Sequence, residues 1–317
     1  MSLANEPVIE DGIDYWNTQP ASYDGVLGGF GTGSLPRIDA LGSRLFLLHQ
    51  FPELSRVPSA IRPLHPDPIY SDRRTRALDV GAGVGRVTAD VLLHLVDDVV
   101  LLEPVGQFVQ EALARAKATT KGNELPIVQH ERHLWKGLAD QTKSVIFIQG
   151  TLQSFDPLNP HRAHFLDRVG YQPPRPTDEI RTGFDVIWCQ WCLGHLSDSD
   201  LVAFFRRSHG ALRDKEKGRS LIVVKENLCV DLSDGKPQTV FDEQDSSLTR
   251  HVLSTSDLAW KELFKEAGLT LVDQQTQEGL PEGLYEVKMY VTSPKIPIET
   301  YETNKYTGML YDERLSD

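Results

Sequence analysis

At 317 residues, with 40% hydrophobic content and a formal charge of −12, the chain can bury a full core and fits one large domain with additions better than two independent ones. The acidic balance argues against a nucleic-acid substrate, because tracking phosphates needs a basic face, and it makes a basic partner the natural one. No apolar run approaches membrane-spanning length, and the start MSLANEPVIEDG has acids where a secretory leader has a basic region, so no membrane association and a cytoplasmic or nuclear location are expected.

Residues 1–70 read as an N-terminal extension. Its glycines at 25, 28, 29, 31 and 33, interleaved with Val26, Leu27 and Phe30, suggest an apolar lid ahead of the core. From residue 76 strands and helices alternate. RALDV (76–80) is a short apolar run, helical spacing follows from Arg86 to Leu95, and VVLLEP (99–104) is a second buried strand. A helix is predicted over Gln107 to Ala118, with Phe108, Ala112, Leu113 and Ala116 on one side. SVIFIQG (144–150), FDVIWCQW (184–191) and SLIVVKEN (220–227) are three more strands, and helices are predicted near 199–212 and 256–267. LTLVDQQTQ (269–277) and YEVKMYVTS (285–293), separated by GLPEG, read as a hairpin. Residues 156–183, rich in proline and charge, read as a surface insertion, and 294–317 as a polar tail, so one domain with a 71–293 core is expected.

Alternating strands and helices imply an α/β fold with a parallel sheet whose ligands bind at the strand carboxyl ends. DVGAGVGR (79–86) sits at the first such end and opens a helix. Gly81 and Gly83 let the backbone turn tightly and approach a ligand. Glu103 ends the second strand 22 positions after Gly81, where an acid can accept from both hydroxyls of a ribose. Arg86 stands where a dinucleotide motif has its last small residue, which disfavours NAD; a guanidinium there suits a carboxylate.

Gln190, Trp191 and His195 crowd the end of the fourth strand, and Asn227 ends the fifth. Each has an ordinary alternative: a loop cap, core packing, a satisfied imidazole, a turn residue. Their convergence beside the glycine turn favours a site. Cys189, Cys192 and Cys229 lack a framework spacing and are expected as reduced thiols. Cys189 and Cys192 have no second pair to complete a zinc site, and the HxxH pairs His130/His133 and His161/His164 fall in polar segments, so no metal is expected.

YW (15–16), GVLGGFG (25–31), ALDVGAGVGR, TLQSF (151–155), DVIWCQWCLGHLSD, VVKEN and FDEQDSS (241–247) together resemble the protein N-terminal α-amino methyltransferase family, over about residues 12–293. The resemblance implies a class I methyltransferase fold, a Rossmann-like seven-stranded sheet with an antiparallel terminal hairpin and an N-terminal helical lid. It implies S-adenosylmethionine as cofactor, held by Gly81, Gly83, Arg86, Glu103, Pro104, Val105, Leu152, Gln153 and Gln190. It further implies protein substrates beginning Xaa-Pro-Lys, with Trp191 on the proline, Asn227 on the first backbone carbonyl, and Asp242, Asp245 and Ser247 on the lysine. Trp16, Leu27 and Tyr285 are implied walls of the substrate site, and Asp245 with His195 and Asn227 the catalytic set. A monomer is expected. The Glu at 103, where the family has Asp, is a departure that a longer reach to ribose accommodates. A small-molecule methyltransferase, a cofactor-binding regulator without activity and a dehydrogenase are the alternatives.

Overall fold

Parallel strands covered on both faces must be apolar throughout, and the apolar runs of this chain become the centre of one sheet. The computed structural model describes residues 7–55, 73–121, 134–174, 183–214, 219–241 and 253–294. The strands are β1 (Arg76–Val80), β2 (Asp98–Glu103), β3 (Ser144–Gln149), β4 (His164–Gly170), β5 (Val186–Gln190), β6 (Leu221–Leu228), β7 (Thr239–Phe241), β8 (Leu253–Thr255), β9 (Leu269–Thr276) and β10 (Glu286–Pro294). Eight form one sheet in the order β4-β3-β2-β1-β5-β6-β10-β9, and β7 pairs with β8 in a separate two-stranded sheet.

From β3 through β2, β1 and β5 to β6 neighbouring strands are parallel. The expected hairpin is present, with β10 antiparallel to both β6 and β9. These are the seven strands read from the sequence. The eighth, β4, lies inside the 156–183 segment and pairs antiparallel with β3. Its residues are mostly half-exposed or exposed, with only Val169 buried, so it lacks the apolar run that marks an interior strand.

The helices are α1 (Ile9–Thr18), α2 (Tyr23–Val26), α3 (Leu35–Gln50), α4 (Leu93–Leu95, continuing a π-helical turn at Thr88–Leu92), α5 (Gly106–Thr120), α6 (Asp198–Gly210) and α7 (Asp257–Glu266). Ser197 and Ser256 cap α6 and α7, accepting from the backbone N–H groups of Asp200 and Ala259. One face of the sheet packs Phe46 and Leu47 of α3 with Val109 and Ala112 of α5; the other packs Phe204 and Phe205 of α6 with Trp260 and Phe264 of α7.

The amino ends of the strands are pinned by charge. Asp185, fully buried just before β5, accepts from Arg73 and Arg213 at 2.7 Å each and from the Arg76 backbone N–H at 2.7 Å. Removing this carboxylate takes a buried partner from Arg213 and leaves Arg73 with Asp214 at 3.1 Å. Asp185→Ala is expected to lower the unfolding free energy by about 3–5 kcal/mol, the cost of breaking a buried ion pair, measured by urea titration; a change within about 0.5 kcal/mol, typical of a neutral surface site, would show that the cluster holds nothing together.

Candidate active site

The order of the parallel strands reverses between β1 and β5, and the crevice above that reversal is where such sheets bind ligands. Two adjoining cavities occupy it, sharing Trp16, Val26, Trp191 and His195 as walls. The first lies over the turn after β1. Gly81 and Gly83 adopt φ of +60° and +57° there. A Cβ at Gly81 would stand 2.3 Å from Cβ of Cys192, so this turn meets the end of β5 only without a side chain.

Glu103, 4% exposed, ties the turn to the end of β2. Its Oε2 accepts from the Gly83 N–H at 2.7 Å and its Oε1 from the Val105 N–H at 2.8 Å. Each carboxylate oxygen has a second lone pair, so these bonds fix the group and leave it acceptor capacity. Burial pushes its carboxyl up to about 7 against both bonds. Gly81, Gly83 and Arg86 line this cavity with Glu103, Pro104 and Val105; Leu152 and Gln153 beyond β3 and Gln190 at the end of β5 complete the expected set. Helix α1 closes it with Ile9, Ile13 and Trp16, spaced on one face of the helix.

Arg86 is a buried residue, 5% exposed, and its Nη1 donates to Asp39 of α3. The same carboxylate accepts from Gln190 Nε2 at 2.9 and 3.0 Å and pairs with Lys225 Nζ at 2.5 Å. Lys225, in β6, also donates to Ser43 Oγ at 3.0 Å and Gln277 Oε1 at 2.8 Å. Burial alone would raise the Asp39 carboxyl, but Arg86 and Lys225 overcome it and hold it at about 2.

The second cavity takes Leu27, Asn227 and Tyr285 into its walls together with the shared Trp16 and Trp191. Trp191 follows β5 with φ of +52°, a left-handed conformation that stores about 1–3 kcal/mol of strain in a non-glycine residue. Its indole Nε1 is buried with no hydrogen-bond partner among the described residues. The turn that follows is clamped by Glu226, whose Oε1 accepts from the N–H groups of Cys192 and Leu193 at 2.9 Å each. Glu226 lines the second cavity, and burial pushes it up to about 7. His195 accepts at Nε2 from the indole N–H of Trp16, 3.1 Å away. Asp242, Asp245 and Ser247, between β7 and β8 in sequence, lie outside the described residues, as do His130 and His133; Ser254 of β8 lines the second cavity.

Three features of the site escaped the sequence reading. Asp39 and Glu226 contact site residues far away in the chain, and no local pattern signals that. Ile9 and Ile13 of α1 did have a signal, their helical spacing from Trp16, which was itself expected as a wall. Among the described residues no group of His, Cys, Asp and Glu could hold a metal ion. Cys189 and Cys192 are buried thiols that burial pushes well up.

Glu103, Glu226 and Asp79, the last bonded by Thr88 Oγ1, all have carboxyls pushed up to about 7 by burial. In the unfolded chain the same groups ionise near about pH 4. Between those values the folded protein holds more protons than the unfolded one, so stability falls as pH rises from about 4.5 through 7. The Tm of the ligand-free protein should therefore be lower at about pH 7.5 than at about pH 5; a flat or rising Tm across that window in scanning calorimetry would mean that these carboxyls ionise freely in the folded state.

The match to known proteins is extensive. The family model for AdoMet-dependent proline di-methyltransferases covers residues 4–293. Alpha N-terminal protein methyltransferase 1 of Arabidopsis thaliana is 33% identical over 94% of this chain and 83% of its own length. The protein of that name in Schizosaccharomyces pombe is 33% identical over 91% and 97%. The N-terminal Xaa-Pro-Lys N-methyltransferase 1 of Xenopus tropicalis is 31% identical over 86% and 89%. Among solved structures, a SAM-dependent methyltransferase of Leishmania major superposes with a TM-score of 0.59 at 27% identity, over 90% of this chain and 82% of that one. The chain belongs to the family of AdoMet-dependent proline di-methyltransferases.

Proposed function

We propose that the first cavity holds S-adenosylmethionine and the second holds the start of a protein chain reading Xaa-Pro-Lys, whose α-amine is the methyl acceptor. The observation that carries this reading is the meeting of the two cavities at Trp16, Trp191 and His195, with cofactor-type groups on one side and an aromatic and amide lining on the other. The names of the relatives from Arabidopsis, Schizosaccharomyces and Xenopus point to the same acceptor.

The residues fit the cofactor group by group. Arg86 presents a guanidinium to a carboxylate, Glu103 keeps acceptor capacity for ribose hydroxyls, and Val105, Phe108 and Leu152 offer apolar surface to a base. When bound, the cofactor supplies a methyl group on a cationic sulfur, which passes by in-line displacement to a neutral amine.

On the acceptor side Trp191 offers an aromatic face to proline, a common way of recognising that ring. Asn227 offers an amide donor to the carbonyl of the first residue. Tyr285 and Leu27 are apolar walls. The resemblance gives Asp242 and Ser247 the lysine and Asp245 the amine proton. An α-amine has a pKa of about 7.7–8.0, so a fair share is already neutral near pH 7 and little base strength is needed. His195 is not open to that proton at Nε2 while Trp16 donates there. Its role is then to orient, and the proton leaves toward Asp245 or solvent.

Mass spectrometry of Xaa-Pro-Lys peptides incubated with enzyme and cofactor should show methyl groups on the α-amine and none on an N-acetylated control. Asn227→Ala should lower kcat/KM for the peptide about tenfold, the scale of one lost hydrogen bond, and leave cofactor affinity intact, because Asn227 lines only the second cavity. Equal methylation of the acetylated peptide, or activity confined to a panel of small metabolites, would sink the peptide assignment.

A further inference from the structure

We propose that Asp39, from the N-terminal extension, is a positioning residue of the cofactor site that holds the Arg86 guanidinium and the Gln190 amide in place to receive the carboxylate of S-adenosylmethionine. This rests on the first cavity being the cofactor site. Asp39 lines neither cavity and is fully buried, so it touches no ligand itself. Both residues it grips by hydrogen bonds from the glycine turn and from β5 do line the first cavity.

The grip is complete for Gln190. Its Nε2 is on Asp39 and its Oε1 accepts from Trp188 Nε1 at 3.0 Å, so the amide has one orientation. For Arg86 it is partial. Nη1 is on Asp39, the guanidinium carbon sits 5.3 Å from the centre of the Trp191 ring, and among the described residues the group makes no other hydrogen bond. A planar fork fixed at one nitrogen is set up for bidentate contact with a carboxylate through the rest, whereas the same long side chain unheld would sample many rotamers.

Lys225 decides what charge the cluster shows. Two cations, Arg86 and Lys225, share the one Asp39 carboxylate, so Arg86 is anchored without being neutralised. Asp79, which lines the first cavity, is bonded by Thr88 and burial pushes its carboxyl up to about 7, so it is only in part charged near neutral pH. Tyr23 and Asp90 also face Arg86; Tyr23 is a neutral phenol pushed well up by burial, and Asp90 acts on Arg86 less strongly than Asp39 does. An arriving carboxylate therefore meets an oriented guanidinium that shares its hydrogen-bonded counter-charge with Lys225.

Calorimetric titration with S-adenosylmethionine and with its decarboxylated analogue tests the idea without reference to turnover. Wild-type protein should bind the carboxylate-bearing ligand at least about tenfold more tightly, the scale of a charge-assisted hydrogen bond. Asp39→Ala should erase most of that preference while changing affinity for the analogue by less than about twofold, and in an Arg86→Ala background it should cost nothing more. Because Asp39→Ala leaves two buried cations and risks unfolding, the double variant Asp39→Ala/Lys225→Met removes one charge of each sign and should show the same loss of preference in a folded protein. Equal weakening of both ligands, or an unchanged preference in the folded double variant, would reduce Asp39 to a structural ion pair. An Arg86→Ala protein with wild-type affinity for both ligands would instead remove Arg86 from the cofactor site, and the proposal with it.

Discussion

Lys225 sits in the middle of β6 with no exposed surface, and an ammonium in that position must find a counter-charge and acceptors inside the protein. Asp39 and Ser43, one turn apart on α3, provide them, and Gln277 beyond β9 completes the set. Those contacts tie α3, whose Phe46 and Leu47 already pack on one face of the sheet, to β6. They also bring the Asp39 carboxylate within reach of Arg86 and Gln190. The seating of the N-terminal extension and the arrangement of polar groups in the first cavity are therefore one solution to one buried charge. Such clusters contribute little net stability compared with an apolar replacement, since desolvating three ions offsets most of their attraction. Their effect here is to fix the geometry of the first cavity's polar wall.

A second constraint acts at the end of β5. Its last residues must serve both cavities, and they do so by turning sharply: Trp191 takes a left-handed backbone, its N–H bonds to the Lys225 carbonyl, and the next two N–H groups are gathered by Glu226. Gly81 has no side chain so that this turn can lie against the glycine loop. Trp191 thereby lines both cavities, with Trp16, Val26 and His195 as the other shared walls.

Much of this was legible in the sequence because two local signals are strong. Interior strands are unbroken apolar runs, and the seven that were read are the seven buried on both faces or joined by the GLPEG turn; β4 was missed because an edge strand with one covered face needs only an occasional Leu166 or Val169. Site residues were legible where a polar side chain interrupts an apolar run at a strand end, as Glu103, Gln190 and Asn227 do, and all three line a cavity. Arg86 stood out for a charge that a dinucleotide-binding turn would not tolerate. Asp39 did not stand out, because its partners are 47, 151 and 186 residues away and an aspartate in a helix has a solvated reading by default. Glu226 was hidden inside VVKEN for the same reason: a glutamate beside a lysine reads as ordinary surface charge until the fold buries both.

Trp16 draws these threads to the chemistry. It is the residue of α1 that lines both cavities, it packs edge-on to Phe108 at 6.1 Å and to His195 at 6.2 Å, and its indole N–H occupies the Nε2 lone pair of His195. An imidazolium has no lone pair there, so the bond exists only with neutral His195 carrying its proton on Nδ1. The docked α1 thus ties its own Trp16 to His195 at the place where the two cavities meet. The seating of the N-terminal extension and the wall that the two cavities share are thereby coupled through one indole.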